Sequence, residues 1–359
     1  MSNPSEQSIP SQGTVTSYYS NPLKEHQAVR NGAGFFNFNS YGKIEIKGND
    51  RVKFLQGLTT NDVKGLSEGK GLYTVIPTVK GKVASEAIVF YFPEHLLLVV
   101  QPALREKTAQ ILNRYKIGTD AQVGDATEKT GLLSVQGPKT ESLLRSLVQD
   151  SFPLLPPYHF FSTKIGDVPV QIIHHEWSGE KGFDILTSFQ NFETVWETLL
   201  KTGEPYGIVP VGMEAYETLR IEAGLPLYGK ELSEEILPQE AGLEAKALSY
   251  TKGCYIGQET IARLHYLGHT NRSLVGLFVN HPDIPQKDDK IISGEKILGA
   301  VTSAVFSPSL QKVIAMAYVQ RQFIQTGTPV EIDHEDKKLP AVVTELPFYQ
   351  NDRKEKNKG

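Results

Sequence analysis

The clearest signal along the chain is a series of short apolar runs set between turn residues. Gly42-Lys43-Ile44-Glu45-Ile46-Lys47-Gly48 alternates polar and apolar side chains, which predicts a half-buried strand. Asn49-Asp50 then caps a predicted helix over 51–57. Runs at 71–77, 82–91 and 95–100 read as a sheet, with turns at Gly81 and at Pro93-Glu94. A helix is predicted over 103–114 and a strand over 131–136. Gly137-Pro138 then turns the chain into a helix over 139–148, where proline suits the first position. Pro153, Pro156 and Pro157 break the next segment, and 160–165 with 168–174 read as a hairpin across Gly166-Asp167. A helix over 192–201 follows. From Arg272 the character changes to strand-like runs at 273–279, 296–305, 313–319, 329–332 and 341–344, the pattern of a small antiparallel barrel or sandwich. The fold class expected is α+β.

Composition narrows the class without changing that picture. Hydrophobic residues make up 39 %, charged residues 22 %, and the net charge is −4, as in an ordinary globular protein of two or three domains. No run is long enough to span a bilayer, and the mild negative charge gives no support for nucleic-acid binding. Residues 1–13 are polar and rich in Ser, Gln and Pro, and lack the apolar centre of a signal peptide, so they read as a disordered arm. Residues 349–359 read as a charged tail. A single cysteine excludes an internal disulfide framework and suits a reducing cytoplasm.

That cysteine stands in Lys252-Gly253-Cys254-Tyr255-Ile256-Gly257-Gln258-Glu259. Two glycines bracket it, which points to a tight turn, and Gln258 to Arg263 reads as the first turns of a helix with an acidic start. A thiol before a helix N-terminus, with Lys252 two residues away, would favour the thiolate needed for nucleophilic attack or metal binding. The plainer alternative is a small buried hydrophobe.

These same residues carry a resemblance. Lys-Gly-Cys-Tyr-Ile-Gly-Gln-Glu at 252–259, with Ala262-Arg263 and Gly268-His269-Thr270-Asn271-Arg272, resembles the signature of the YgfZ family of folate-binding proteins, relatives of the T-protein (aminomethyltransferase) of the glycine cleavage system. Further segments resemble the T-proteins: His26 to Arg30 with Gly34-Phe35-Phe36-Asn37, Leu58 to Val63, Val135-Gln136-Gly137-Pro138, Trp177 to Ile185, and Leu219 to Gly229. The resemblance implies three lobes around a central folate channel. A folate-binding region of two interleaved α+β lobes would cover 14–270, and a C-terminal β-barrel would cover 271–348. It also implies tetrahydrofolate or a folate derivative as cofactor.

The site residues follow from the same resemblance. Glu180, between two turn glycines, stands where the T-proteins bind the pterin. A pterin presents an amino group and a ring N–H side by side, and a carboxylate accepts both. Trp177 would pack beside the ring or in the core. Arg220 and Glu222 would serve folate or form an internal ion pair. Asn61 would contact the cofactor, or, with Thr60 and Asp62, simply cap and turn. Adjacent His174 and His175 would face opposite ways on a strand and are no convincing metal pair. Ser85 stands where the T-protein pattern has its catalytic aspartate. Serine cannot hold a charge there, and Glu86 would point to the opposite face. The expected function is therefore a folate-binding accessory factor for assembly or repair of iron–sulfur proteins. Cys254 would be the essential thiol, a nucleophile or a cluster ligand shared with an iron–sulfur client, and Lys252 its neighbour in the chemistry. The alternative is a folate-dependent aminomethyl or other one-carbon transferase.

Overall fold

The computed structural model describes residues 16–148 and 151–351. The expected arm over 1–13, and the tail from 352 onward, lie outside the described residues. The first half runs α1 (Pro22–Asn31), β1 (Ala33–Asn37), β2 (Gly42–Lys47), α2 (Arg51–Gln56), β3 (Gly71–Pro77), β4 (Val83–Tyr91), β5 (Leu96–Val100), α3 (Arg105–Tyr115), β6 (Gln122–Asp125), β7 (Thr130–Gln136) and α4 (Thr140–Leu147). Next come β8 (Phe160–Ile165), β9 (Val168–His174), β10 (Gly182–Ser188), α5 (Phe192–Gly203), β11 (Ile208–Pro210), α6 (Met213–Glu222), α7 (Glu244–Ala247) and α8 (Gln258–Leu267). The chain closes with β12 (Arg272–Val279), β13 (Lys290–Ser293), β14 (Lys296–Ser307), β15 (Lys312–Gln320), β16 (Pro329–His334) and β17 (Lys337–Thr344).

These strands form three sheets, and the α+β expectation holds. One has six strands in the order β11-β1-β7-β10-β9-β8, another five in the order β3-β4-β5-β2-β6, and the third is a closed barrel, β12-β15-β14-β13-β16-β17. Compactness divides the described residues into two units. The first holds the residues up to Gln56, Asp62–Tyr73 and Glu86–Tyr216; the second holds Gly57–Asn61, Thr74–Ser85 and the chain from Glu217 on. The boundary inside β4 falls between Ser85 and Glu86.

In the first unit the six-stranded sheet has two different faces, because alternate residues of a strand point opposite ways. Phe35, Val135 and Phe183 stand abreast on β1, β7 and β10 and join a core with Leu143, Leu144, Val195 and Trp196 of α4 and α5. Trp196 meets Phe35 edge-on with ring centroids 4.6 Å apart. One residue along, Phe36, Ser134 and Asp184 stand abreast on the other face. That face is half polar, and it carries the groups described below. In the second unit the barrel encloses Val275, Leu277, Ile291, Val301, Val319, Ile332 and Val343, every one nearly inaccessible to solvent.

The Ala33–Asn37 and Gly182–Ser188 runs, over which the pattern predicted no element, are strands β1 and β10; neither shows alternation, because both are covered on both faces. Lys43, on the polar side of an alternating run, is fully buried. Its Nζ donates to the carbonyls of Asn39 and Tyr41 at 2.7 and 2.9 Å, closing the β1–β2 turn on itself.

Candidate functional site

Glu180 sits at the centre of a buried polar corner in the first unit. No part of it reaches solvent, and Arg30 Nη1 donates to its Oε1 at 3.1 Å and to the Ser178 carbonyl at 2.8 Å. Arg30 comes from α1, which starts where it does because Asn21 Oδ1 accepts from Leu23 and Lys24 N–H and Pro22 occupies the first turn. β7 supplies the rest. Trp177 Nε1 donates to Ser134 Oγ at 2.9 Å, Ser178 Oγ donates to Gln136 Oε1 at 3.0 Å, and Gln136 Nε2 donates to the His175 carbonyl at 2.8 Å. Trp177 is buried in an aromatic cluster with Phe36, Phe38 and Tyr216, at centroid distances of 4.7, 5.8 and 4.8 Å. Tyr41 joins it, its hydroxyl 3.3 Å from that of Tyr216. Glu180 and Trp177 are thus brought together, as a closed corner and not as an open turn. Arg30 is the partner that sequence reading missed. It lies 150 positions from Glu180, and no local motif announces it.

Beside this corner the same sheet face carries a second polar group. His175 Nδ1 lies 2.7 Å from Asp184 Oδ2. Tyr158 packs against His175 at a centroid distance of 5.7 Å. Burial, reinforced by the Asp184 and Glu86 charges, pushes the Tyr158 phenol up to about 12. Tyr41 is raised well above its usual range, by burial first and then by Tyr216, with Asp184 and Glu86 contributing. Glu86 itself accepts from Tyr73 and Gln101. Tyr73 is likewise raised by burial and by Glu86. All three phenols therefore remain donors across the physiological range. His174, by contrast, has both ring nitrogens engaged, by the Leu155 carbonyl at 2.6 Å and Glu176 at 3.0 Å.

The second unit holds the other expected residues. Cys254 is exposed, on the turn that leads into α8. Lys252, expected beside it in the chemistry, is an anchor: its Nζ donates to the Thr59 carbonyl and lies 4.7 Å over the Tyr255 ring. Ile256 N–H donates to the Gly57 carbonyl and Ser249 N–H to that of Thr60, while Thr60 Oγ1 donates to Ala247 and Asn61 Nδ2 to Lys246. Asn61 therefore holds the 57–61 turn against Lys246. Gly257 is required where it is. It has φ = 74°, and a Cβ there would stand 2.3 Å from the Thr78 carbonyl oxygen. Ser85 is fully buried in β4.

Arg220 resolves toward the ion pair, with different partners from those expected. Glu222 is two residues away on one helix and cannot face it. Glu222 binds Ser307 and Ser309 instead. Arg220 Nε and Nη2 donate to Glu217, Nη1 to Glu231 and the Leu225 carbonyl, and Nη2 also to Ser303 on β14. Those five bonds use the five donors of a guanidinium. Among the described residues, no group of three or more His, Cys, Asp or Glu side chains is placed to hold a metal ion, and no helix is long and apolar enough to cross a membrane.

Residues 12–248 match the GCVT N-terminal domain, and residues 272–350 match the glycine cleavage T-protein C-terminal barrel domain. The chain belongs to the glycine cleavage T-protein family. An aminomethyltransferase of Bacillus pumilus is 34 % identical over 334 residues, covering 92 % of this chain and 91 % of that one. An aminomethyltransferase of Caldanaerobacter subterraneus is 35 % identical over 338 residues, covering 92 % and 89 %. The crystal structure of glycine cleavage system aminomethyltransferase T from Bartonella henselae superposes with a TM-score of 0.83 at 25 % identity, over 92 % of this chain and 90 % of that one. The T-protein-like fold with its terminal barrel is therefore that of the family.

Proposed function

We propose that this chain binds tetrahydrofolate and uses it in one-carbon transfer of the aminomethyltransferase type. The observation that carries the reading is the end-to-end correspondence with aminomethyltransferases, which spans 92 % of the chain and includes both family domains. It favours the transferase alternative over the accessory role that the Lys-Gly-Cys turn suggested. Glu180 and Trp177 are the residues we assign to the pterin, because a buried carboxylate beside an aromatic cluster offers the acceptor and the flat apolar wall that a pterin needs. When bound, tetrahydrofolate supplies the nitrogen that receives the one-carbon unit. Glu180 has no accessible surface, so engagement would require its cover to move. The test is turnover of an aminomethylated lipoyl carrier with tetrahydrofolate, followed as methylenetetrahydrofolate formed. Turnover is the expected result; its absence at high enzyme concentration would remove the transferase reading.

A second reading rests on Cys254. An exposed cysteine on a turn braced by Lys252 and Gly257 suits the YgfZ-type role in iron–sulfur assembly, with the cluster or its client as substrate. One thiolate cannot hold a cluster by itself, so a client protein, a second copy or a small thiol would complete the ligand set. Complementation of a strain lacking such a factor, by wild type and by Cys254→Ala, tests it. Equal rescue by both proteins, or rescue by neither, would dismiss the thiol role.

A further inference from the structure

Lys43 is the one lysine shut away from solvent among the described residues. It closes the turn between β1 and β2, and that turn feeds the aromatic cluster of the candidate site. Tyr41 N–H donates to the Phe38 carbonyl at 3.0 Å, and Asn39 Oδ1 ties the turn to β7 by accepting from Leu132 N–H at 2.8 Å. The two rings of the turn, Phe38 and Tyr41, lie 4.6 Å apart. Phe38 packs on Trp177 and Tyr216 at 5.8 and 5.7 Å, and the Tyr41 hydroxyl meets that of Tyr216. Two rings of the aromatic wall therefore stand on the segment that Lys43 closes.

The hydrogen-bond count around the amine selects its neutral form. Among the described residues, Nζ has two acceptors, the carbonyls of Asn39 and Tyr41. The unspent polar atoms of the same turn, Asn37 Nδ2 and Asn39 Nδ2, are buried donors without a partner. A neutral amine has two N–H bonds and matches two acceptors. An ammonium has three, and the third would be left bare in a place closed to water, which is costly. The surrounding charges do not offset that cost. Arg105 of α3 repels the ammonium, while Asp125 of β6 and Glu128 attract it. Arg105 holds both carboxylates itself, through Nε to Asp125 at 2.7 Å and Nη1 to Glu128 at 3.1 Å. On the other side β5 sets Val99 opposite Lys43. Burial first, then Arg105, brings the amine down to about 7.

We propose that Lys43 is a positioning residue for folate binding: as a neutral amine it holds the β1–β2 turn closed, with Phe38 and Tyr41 in place beside Trp177, and on taking up a proton it releases them. The proposal rests on the folate reading above and adds a proton-controlled wall to that site. One proton passes between water and Nζ, and no covalent bond to carbon changes. Closing the turn gives up that proton, so the closed wall is complete at high pH and is lost as pH falls through about 7.

The experiment uses the full chain and two readouts. The protein has two tryptophans, so the Trp177 indole N–H is one of two such signals in nitrogen-labelled NMR, with Trp196 as the reference. Without ligand, the Trp177 signal of wild type is expected to shift between about pH 8.5 and about pH 6, with its midpoint near 7. Lys43→Gln keeps two N–H donors and never charges, so its Trp177 signal should hold still over that range. By calorimetry, wild type should bind tetrahydrofolate about tenfold more weakly at about pH 6 than at about pH 8, because about one molecule in eleven is then in the neutral form. Lys43→Gln should bind equally at both, which removes any titration of the ligand itself from the comparison. A Trp177 signal that stays still in wild type, or moves equally in Lys43→Gln, overturns the proposal; so does equal wild-type affinity at the two pH values. If Lys43→Gln does not fold, wild type labelled at lysine Cε decides: the Lys43 carbon must titrate with the midpoint of the indole signal, and a different midpoint overturns it. If wild type binds no tetrahydrofolate at any pH, the folate reading fails by itself, and the indole titration, which needs no ligand, decides the role of Lys43.

Discussion

Glu180 and Cys254 begin as the same kind of sequence feature, a reactive residue between two glycines on a turn, and end in opposite environments. Glu180 is sealed and ion-paired with Arg30. Cys254 is exposed, and the bracing falls to its neighbours: Lys252 on the Thr59 carbonyl and Gly257 against Thr78. The glycines specify a bend in both places. What decides burial is whether a distant element covers the bend, and α1 covers one of them. A turn motif therefore locates a candidate residue without saying whether it is a structural charge, a surface thiol or a ligand contact.

Stability should divide the two regions sharply. Arg30→Ala removes an ion-pair partner from a carboxylate without access to water, and should cost about 3–5 kcal/mol in urea denaturation. A loss below about 1 kcal/mol would mean that the corner is wetter than its geometry implies. The pH response should follow the same divide, because the first unit also buries Lys43. Desolvation, with a lesser contribution from Arg105, lowers this amine from 10.5 to about 7. The unfolded chain therefore binds the extra proton between those values. Stability should rise with pH from about 7 towards 10.5, by up to about 1.4 kcal/mol per unit from this group, with the full penalty present below pH 7. Lys43→Met should flatten that slope, and an unchanged slope would discount the burial.

Smaller effects are expected around the thiol. Gly257→Ala places a Cβ against the Thr78 carbonyl at positive φ and should cost about 1–3 kcal/mol. Cys254→Ala should change stability by no more than about 0.5 kcal/mol, and Cys254 in the native protein should alkylate about as fast as in urea. Slow native labelling with a large stability loss would turn it into a core residue and reverse the comparison.

Much of the fold was legible in the sequence because its signals are local. The Gly166-Asp167 hairpin, the Gly137-Pro138 entry to α4 and the strand runs after Arg272 each carry their own turn chemistry. β10 escaped because a strand buried on both faces shows no alternation. Lys43 escaped because the carbonyls it satisfies belong to a turn whose closure no pattern reports. The site was legible residue by residue and not as an assembly. Glu180 and Trp177 could be named from a motif, but Arg30 and the Gln136 bridge are set by tertiary pairing. Arg220 shows the converse: a motif position suggested a ligand contact, and three-dimensional neighbours used every donor it has.

The most direct test of folate binding at Glu180 is titration calorimetry of tetrahydrofolate into the wild-type protein and into Glu180→Gln, a variant that keeps the shape of the corner and removes its charge. Hydrogen bonds to a charged group are worth about 1.5–3 kcal/mol, so wild type should bind and the variant should bind roughly 10- to 150-fold more weakly. Equal affinity in the two proteins would take Glu180 out of the site, and no binding to wild type would contradict folate dependence altogether.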